Sequence, residues 1–406
     1  MAPSEYTTEQ ESAAGTATEQ APPAPSRLLV NLTLLAPDAL EATLGHIAEA
    51  LPETAVRVIV PESLNGGPRE FGNLTVVPHT PSVVSSSPWI IRASDYLNLY
   101  DLVRRHGAET CLILGGEAQT VEPRSIRALV DAAFAQADLV MPRYDLRPRE
   151  GLVNSAMLYP VSRALYGARP RFPLAIDLAL SVRMAERMAM AAQRYTSIGQ
   201  NDALLWPVAE ASVAGFSVTQ VDACHRAIPQ PGIADLNTLL ALIAGSMFAD
   251  VEAKAAFWQR SRVTPPETPP PGNAMEEPPP DIQPMLDSFH LAYTNLREIW
   301  SLVLPPQTLL GLKKLSLLPS ESFRMPDALW ARIVYDFILA FRLRTLNRGH
   351  LLGALTPLYL AWVASHLKLL HSGVAAERHV EGTAVAFESE KPYLVSRWRW
   401  PDRFNP

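Results

Sequence analysis

The feature that most constrains this chain is an alternation of short apolar runs with longer helix-like segments. The runs are rich in leucine and β-branched residues and have few polar positions, which is typical of parallel strands buried on both faces. The predicted strands are Arg27–Ala36, Ala55–Val60, Leu74–Pro78 and Thr110–Leu114, and the predicted helices are about Pro37–Leu51, Ile90–Gly107 and Ile126–Ala137. Such an alternation predicts an α/β fold built on a parallel, doubly wound sheet.

The composition allows a large core and narrows the range of partners. At 406 residues, of which 48% are hydrophobic and 19% charged, the chain can bury one large core or two smaller ones. The formal net charge of -6 argues against a nucleic-acid partner, because phosphate-binding surfaces are usually basic. Two cysteines, Cys111 and Cys224, cannot form a disulfide framework, so we expect a cytoplasmic location.

Residues 1–26 and the stretch Asp138–Ser181 differ sharply in character. The first 26 residues are polar and proline-containing without an apolar run, which predicts a disordered tail rather than a signal peptide. Asp138–Ser181 begins with a β-like run, Asp138–Tyr144, and continues through a charged turn at Arg147–Gly151. Because α/β sheets place ligand-binding groups where a strand emerges into a polar loop, we expect this stretch to border a cleft. A helix is predicted next, at Ala175–Arg194.

The C-terminal third of the sequence predicts helices. A helix at Leu236–Trp258 closes a first domain, residues 27–260, and a proline-rich acidic linker, residues 261–284, leads to a helical domain, residues 285–406. The helix that opens at Pro326 has an apolar stripe. Its members are Leu329, Ile333, Val334, Phe337, Ile338 and Phe341.

A later apolar segment, Gly349–Leu367, approaches the length of a membrane span. Its central Pro357, two histidines and flanking basic residues favour a buried helix over a membrane helix. We therefore expect no membrane span there.

Several short motifs, in a fixed order, resemble one enzyme family. They are Gly151-Leu152-Val153, Tyr159-Pro160, Arg163–Gly167, Pro173–Ser181 and Leu355–Tyr359. The set resembles GT-A glycosyltransferases of the glucosyl-3-phosphoglycerate synthase type, to which mannosylglycerate and glucosylglycerate synthases are related. The resemblance covers about Arg27–Ser365. It implies a GT-A (Rossmann-like) nucleotide-diphospho-sugar transferase domain followed by a C-terminal α-helical domain.

The resemblance also implies a donor site at the end of the Thr110–Leu114 strand. In the family an Asp-x-Asp motif follows this strand, and a divalent metal held there offsets the charge of the donor diphosphate. Here Gly115, Gly116 and Glu117 take those positions. The implied cofactor is Mg²⁺ or Mn²⁺, bound by Glu117 and, at the position of the family's histidine, by His225. Both roles have an alternative. Gly115 and Gly116 could form a tight turn beside a solvated Glu117, and His225 could be an ordinary loop or core histidine.

Five more residues receive roles from the resemblance. Asp177 and Asp202 are the implied catalytic residues: the first would position the acceptor hydroxyl, and the second would bind sugar hydroxyls. Tyr144, Gly151 and Asn154 are the implied substrate-binding residues. From the residues alone, Asp177 is also explained as an acid in the first turn of a helix, and Asp202 as a helix N-cap.

Recognition of the acceptor remains open at this point. In relatives that use phosphoglycerate, an arginine of the Gly-x-Val loop binds the phosphate, and Leu152 takes its place here. Glycerate, another small sugar and 3-phosphoglycerate are therefore all retained as acceptors. Four nearby arginines could replace the missing one or be solvated loop charges: Arg147, Arg149, Arg169 and Arg171.

The leading hypothesis is a retaining glycosyltransferase that moves a hexose from a nucleotide diphosphate sugar to a small hydroxy-acid or sugar acceptor, as a homodimer. One alternative is a catalytically impaired relative that serves as a binding or assembly subunit, suggested by Gly115, Gly116 and Leu152. A third hypothesis is a membrane-associated transferase with a lipid acceptor, anchored through Leu351–Leu370.

Overall fold

The computed structural model describes residues 27–33, 35–62, 67–83, 90–174, 176–229, 236–261 and 281–401. The predicted tail, residues 1–26, and residues 262–280 of the predicted linker lie outside the described residues. Within them the chain forms one mixed β-sheet, helices on both of its faces, and a C-terminal group of helices.

The strands of the sheet are β1 (Leu28–Leu32), β2 (Val56–Pro61), β3 (Arg69–Phe71), β4 (Leu74–His79), β5 (Thr110–Leu114), β6 (Leu139–Arg143), β7 (Asp177–Ser181) and β8 (Val218–Asp222). Their order across the sheet is β3-β4-β2-β1-β5-β7-β6-β8. The pairs β4–β2, β2–β1, β1–β5 and β6–β8 are parallel, which confirms the predicted α/β class. Strands β3 and β7 run antiparallel to their neighbours, so the sheet is mixed rather than wholly parallel.

The helices are α1 (Leu40–Ala50), α2 (Ala93–His106), α3 (Pro123–Phe134), α4 (Tyr159–Tyr166), α5 (Val182–Thr196), α6 (Pro207–Ala214), α7 (Leu236–Ala253), α8 (Ala255–Trp258), α9 (Gln283–Asn295), α10 (Arg297–Val303), α11 (Pro306–Ser316), α12 (Asp327–Leu343), α13 (Arg348–His371) and α14 (Ala376–Arg399). A π-helical turn, Asn154–Leu158, leads directly into α4. Every helix predicted before the central stretch is present, with ends that differ by a few residues.

The prediction of a helix at Ala175–Arg194 is wrong in its first part. Asp177–Ser181 is strand β7, and the helix begins at Val182, where the Ser181 hydroxyl accepts a hydrogen bond from the Met184 amide and caps it. Strand β7 packs on both faces, with Leu178 in one core cluster and Ala179 in the other. A strand buried on both faces has no alternation of polar residues, so its sequence does not differ from that of a buried helix.

Two apolar layers enclose the sheet. On one face, α1 and α3 cover Leu28, Val30 and Leu32 of β1. On the other face, Leu29 belongs to a larger cluster that includes α2, α5 and the C-terminal helices. The carboxyl ends of the parallel strands therefore emerge at one edge between two packed layers, which is where open α/β sheets bind ligands.

The C-terminal helices pack against the sheet part through charged as well as apolar contacts. The predicted stripe of α12 is buried, apart from Leu329, which is partly buried. Helix α14 lies against α4, where buried Arg163 donates to Glu388 Oε1 over 2.7 Å and also pairs with Glu381. These ion pairs fix the helical layer above the carboxyl edge of the sheet.

Gly349–Leu367 lies inside α13, most of whose residues are buried. Among the described residues, one helix, α7, is long and apolar enough to span a membrane by length and composition alone, a test that core helices also pass. Helix α7 packs against α12 and α13.

Candidate functional site

The tip of strand β5 is closely packed against the start of β7. Gly115 follows β5, and its amide donates to Asp177 Oδ1 over 3.1 Å. A Cβ at position 115 would lie 2.7 Å from the Ile176 carbonyl oxygen, a separation that atoms in contact do not adopt. Glycine is therefore required at position 115 by the approach of two backbones, whatever ligand binds nearby.

Asp177 lies in a buried cluster of three polar side chains. Its Oδ2 accepts from Arg226 Nε over 2.8 Å and from the Tyr144 hydroxyl over 2.9 Å, and its Oδ1 accepts from Arg226 Nη2 over 3.2 Å. The side chains of Asp177 and Arg226 are each 1% exposed. Burial raises the pKa of Tyr144 well above its usual value, and the Asp177 carboxylate adds to the increase. The cluster thus joins the start of β7, the residue after β6 and the segment after β8.

Arg226 also fixes the loop after β5. Its Nη2 donates to the Gly116 carbonyl over 2.5 Å, and its Nη1 donates to the Glu117 carbonyl over 2.6 Å and to the Thr120 hydroxyl over 3.0 Å. Burial alone would lower the pKa of Arg226, but the charge and hydrogen bonds of Asp177 outweigh it and raise the pKa. This role of Arg226 is not predictable from the sequence, since nothing in the order of residues marks an arginine as buried.

Glu117 and His225 lie on the two segments that Arg226 connects, and both are exposed. Glu117 has a left-handed backbone, with φ 59°, and its carboxylate accepts from Gln119 Nε2 over 2.8 Å. The Nδ1 atom of His225 lies 3.1 Å from the Asp145 carbonyl oxygen. A hydrogen on Nδ1 would make that bond and leave Nε2 with a lone pair, as in many metal-bound histidines.

The donor set near the β5 tip is therefore one carboxylate and one imidazole. In the described ranges no three His, Cys, Asp or Glu side chains are grouped so as to hold a metal ion. Mg²⁺ commonly takes only one or two carboxylates from the protein and completes its coordination with substrate phosphates and water. Glu117 and His225 therefore do not form a metal centre by themselves.

Asp202 lies away from the Asp177 cluster, beside the start of α2. Its carbonyl oxygen accepts from Arg92 Nη1 over 2.7 Å. Its carboxylate is close enough to Asp95 for the two negative charges to repel each other. The following helix, α6, has Trp206 at its N-cap, so the interpretation of Asp202 as a helix cap is wrong. Burial raises the pKa of Asp95 to about 6.

Two cavities flank the β5–β7 tip along the carboxyl edge of the sheet. The smaller, of about 170 Å³, lies at the ends of β1, β2 and β4, and is lined by Asn31, Thr33, His79, Asp95 and Asn98, among others. The larger, of about 400 Å³, lies at the ends of β6 and β8 and reaches the C-terminal helices. Because β5 and β7 are the strands between these two groups, the β5–β7 tip lies between the two cavities along this edge.

The larger cavity, which we call the cleft, contains one of the predicted substrate-binding residues. Tyr144 lines it. Gly151 has φ 62° and lies in the loop after β6. Asn154 Oδ1 accepts from the Leu174 amide over 3.2 Å and holds the segment before β7 in place. Neither Gly151 nor Asn154 is among the residues that line the cleft.

Arg171 is the most constrained of the four arginines that the sequence suggested for the acceptor. It lines the cleft and is only 6% exposed. Its Nε pairs with Glu377 of α14, and its Nη2 donates to the Ser155 hydroxyl over 2.9 Å. Its Nη1 is buried and has no hydrogen-bond partner. A buried guanidinium nitrogen without a partner is costly. Arg147 also lines the cleft.

Comparisons with known proteins give structural neighbours only. No protein-family profile matches the sequence, and no curated protein matches it. Solved structures do match. Two of them are of glucosyl-3-phosphoglycerate synthase from Mycobacterium tuberculosis. The complex with Mn²⁺, UDP-glucose and phosphoglyceric acid is 15% identical, with a TM-score of 0.35, and the match covers 56% of this chain and 79% of that one. The complex with phosphoglyceric acid alone is 16% identical, with a TM-score of 0.33, over 55% and 80% of the two chains. At these values the chain receives no family assignment, and its function is argued from its own site.

Proposed function

We propose that this protein transfers a hexose, with retention of configuration, from a nucleotide diphosphate sugar to a small hydroxy acid such as glycerate or 3-phosphoglycerate. The observation that supports it best is the placement of two cavities on either side of the β5–β7 tip. A transferase must hold two substrates with their reacting atoms together, and this edge offers two sites, one on each side of the tip. The resemblance of the sequence motifs to GT-A glycosyltransferases points to the same reaction.

The smaller cavity is the proposed site of the nucleoside. The Asn31 side chain is the amide we assign to the hydrogen-bonding edge of a base. Asp95 and Asn98 form the walls of the cavity, because their side chains already bond to Thr33 and Arg92, and to Ser82 and Val83. The diphosphate would then extend toward Gly115 and Glu117. A divalent metal bound with it would offset the charge of the leaving diphosphate, and Glu117 and His225 would hold that metal.

The cleft is the proposed acceptor site. We assign Arg147 and Arg171 to the carboxylate or phosphate of the acceptor. Four carboxylates also line the cleft, and two of them pair with Arg143 and Arg171: Asp145, Glu150, Asp222 and Glu377. The arginine that Leu152 replaces in the resembling family is thus compensated by a residue 19 positions later in the chain.

Asp177 has a different role in this proposal from the one its sequence position suggested. Its carboxylate is already paired with Arg226 and Tyr144, so we assign it to holding the tip of β5 and the wall of the cleft in place. Asp202 as a ligand of sugar hydroxyls, the homodimer and the cytoplasmic location stay predictions.

Transfer of radioactive label tests the proposed function. The purified chain is incubated with UDP-[¹⁴C]glucose or GDP-[¹⁴C]mannose, Mn²⁺, and D-glycerate or 3-phosphoglycerate, and the acidic products are separated. Label is expected in a new acid. An Ala223→Phe variant, which fills the cleft, should lose transfer and keep UDP binding, whereas Met190→Phe at an exposed position should keep both. Absence of labelled product with every pairing contradicts the proposal.

A second candidate function is a binding or assembly subunit without catalysis. It is favoured by one observation: the acid that would face the substrates, Asp177, is fully buried and neutralised by Arg226. Thermal-shift titration separates the two functions. Stabilisation by UDP-glucose together with Mn²⁺ supports the transferase, and stabilisation by neither nucleotide nor metal supports the subunit.

A further inference from the structure

Three side chains from three helices form a hydrogen-bonded row that ends at the cleft. Oδ1 of Asp327, in the first turn of α12, lies 3.2 Å from His379 Nε2 of α14. His379 Nδ1 lies 2.6 Å from Nδ1 of His366 on α13. His366 is 1% exposed and lines the cleft. We call these three residues the imidazole relay.

The chemistry of the groups fixes where the hydrogens are. An ionised carboxylate only accepts, so the hydrogen between Asp327 and His379 belongs to His379 Nε2. A neutral His379 then has a lone pair on Nδ1, which accepts the hydrogen on Nδ1 of His366. A neutral His366 is left with a lone pair on Nε2. Because its Nδ1 is occupied by His379, Nε2 is the polar atom of His366 that remains for a ligand.

The surroundings keep His366 neutral. The Trp362 indole stacks on its ring, with centroids 5.0 Å apart and the planes 10° from parallel. The charged and titratable groups near it are His379 and Glu377 on α14, Arg171 across the cleft wall, and Asp327 behind His379. Burial lowers the pKa of His366 to about 3, with further lowering by His379 and Arg171. At neutral pH the ring is therefore an acceptor and not a cation.

We propose that His366 accepts a hydrogen bond from the hydroxyl group of the ligand in the cleft, and that His379 and Asp327 are positioning residues that fix its tautomer. The identity of the ligand, D-glycerate or 3-phosphoglycerate, rests on the proposed function. Arg171 would bind the anionic group of the ligand, and His366 its hydroxyl. Together they would distinguish hydroxy acids from simple carboxylates, because only the former satisfy both groups.

Nitrogen NMR tests the tautomer directly, without any ligand. In protein labelled with ¹⁵N-histidine, the signals of His366 are identified by their loss in a His366→Gln variant. The wild type should show an unprotonated Nε2 and a protonated Nδ1 on His366 at pH 7. In Asp327→Asn the new amide can donate to His379 Nε2, so the hydrogens along the row should reverse and Nε2 of His366 should become protonated. A protonated Nε2 in the wild type overturns the proposal.

Binding measurements test the role in recognition. Calorimetric titration with D-glycerate and 3-phosphoglycerate should show about tenfold weaker binding in His366→Phe, since one hydrogen bond is lost. His366→Gln places an amide oxygen near the position of Nε2 and should recover most of the affinity, while UDP binding stays unchanged in both variants. Equal affinity in all three proteins overturns the proposal. If the wild type binds neither acid, the proposed function fails, and the NMR result alone decides the state of the relay.

Discussion

Arg226 Nε lies 2.8 Å from Asp177 Oδ2, and the two side chains form an ion pair inside the protein, at the carboxyl edge of the sheet. Arg226 comes from the loop after β8 and Asp177 from the first position of β7. The same guanidinium caps the carbonyl groups of Gly116 and Glu117. One arginine therefore shapes the segment on which a donor diphosphate would rest.

Removal of Arg226 should be costly. Arg226→Met leaves the Asp177 carboxylate buried without its cation, so we expect the free energy of unfolding to fall by about 3–5 kcal/mol. Urea denaturation at pH 7 measures it. The control is Glu109→Gln, which breaks the exposed pair with Arg27 and should cost less than about 1 kcal/mol. Similar losses in the two variants would show that the buried pair does not hold this edge together.

Gly115 should not tolerate alanine. Its Cβ would collide with the Ile176 carbonyl oxygen, and overpacking of this kind typically costs about 1–3 kcal/mol. Gly45→Ala is the matched control, because Gly45 lies within helix α1 with nothing within 4 Å of its Cβ, and alanine there should stabilise by about 0.5–1 kcal/mol. Thermal unfolding should therefore shift in opposite directions, and a neutral Gly115→Ala would refute the close approach.

Metal binding should depend on the nucleotide. With two protein donors, Glu117 and His225, the chain alone should leave the electron paramagnetic resonance signal of free Mn²⁺ undiminished. Addition of UDP should reduce that signal because the diphosphate completes the coordination. The reduction should be weaker in Glu117→Gln and in His225→Ala. Tight binding of Mn²⁺ in the absence of UDP would contradict this arrangement.

Stability should fall in mild acid through His366. Its pKa is lowered from 6.5 to about 3 in the folded chain, so between these values the unfolded chain binds a proton that the folded chain does not. Unfolding is then favoured by about 1.4 kcal/mol for each pH unit below 6.5. Between pH 7 and pH 5 the wild type should lose about 2 kcal/mol more than His366→Gln, measured by urea denaturation. Parallel losses in the two proteins would contradict the burial of a neutral His366.

Arg171 should set the affinity for anions. Arg171→Gln removes a charged donor from the cleft, so binding of 3-phosphoglycerate should weaken by about tenfold to a hundredfold, while UDP binding is unchanged. Arg149→Gln is the control, because Arg149 is exposed and does not line the cleft. Calorimetry that gives the same affinity in both variants would exclude Arg171 from the acceptor site.

The sequence predicted the parts of the fold whose apolar pattern is unambiguous. Strands β1, β2, β4 and β5 are short apolar runs, and α12 has a stripe with helical spacing, so pattern alone identified them. Strand β7 was missed because both of its faces are buried, which removes the alternation that marks a strand. The class of the fold was predictable, and the direction of one central strand was not.

The candidate site was less predictable, because its contacts join distant parts of the chain. Tyr144 and Asp177 were singled out by the resemblance and do lie together. The role of Arg226, the neighbour of His225, was not predicted, because a sequence does not show whether an arginine is buried or exposed. Asp327, His366 and His379 have no spacing that suggests a common site, and three separate helices bring them together.

The ion pairs between α14 and the sheet part determine how a substrate can reach the cleft. Swinging the helical layer outward would separate Arg163 from Glu388, a buried pair, which typically costs about 3–5 kcal/mol. It would also separate Arg171 from Glu377, a pair that is only partly buried. Small molecules should therefore enter and leave through an opening that stays open. It lies between the loops that follow β6 and β8 and the N-terminal turn of α14. Turnover in such an enzyme would be free of any large opening motion, and its rate would respond little to solvent viscosity.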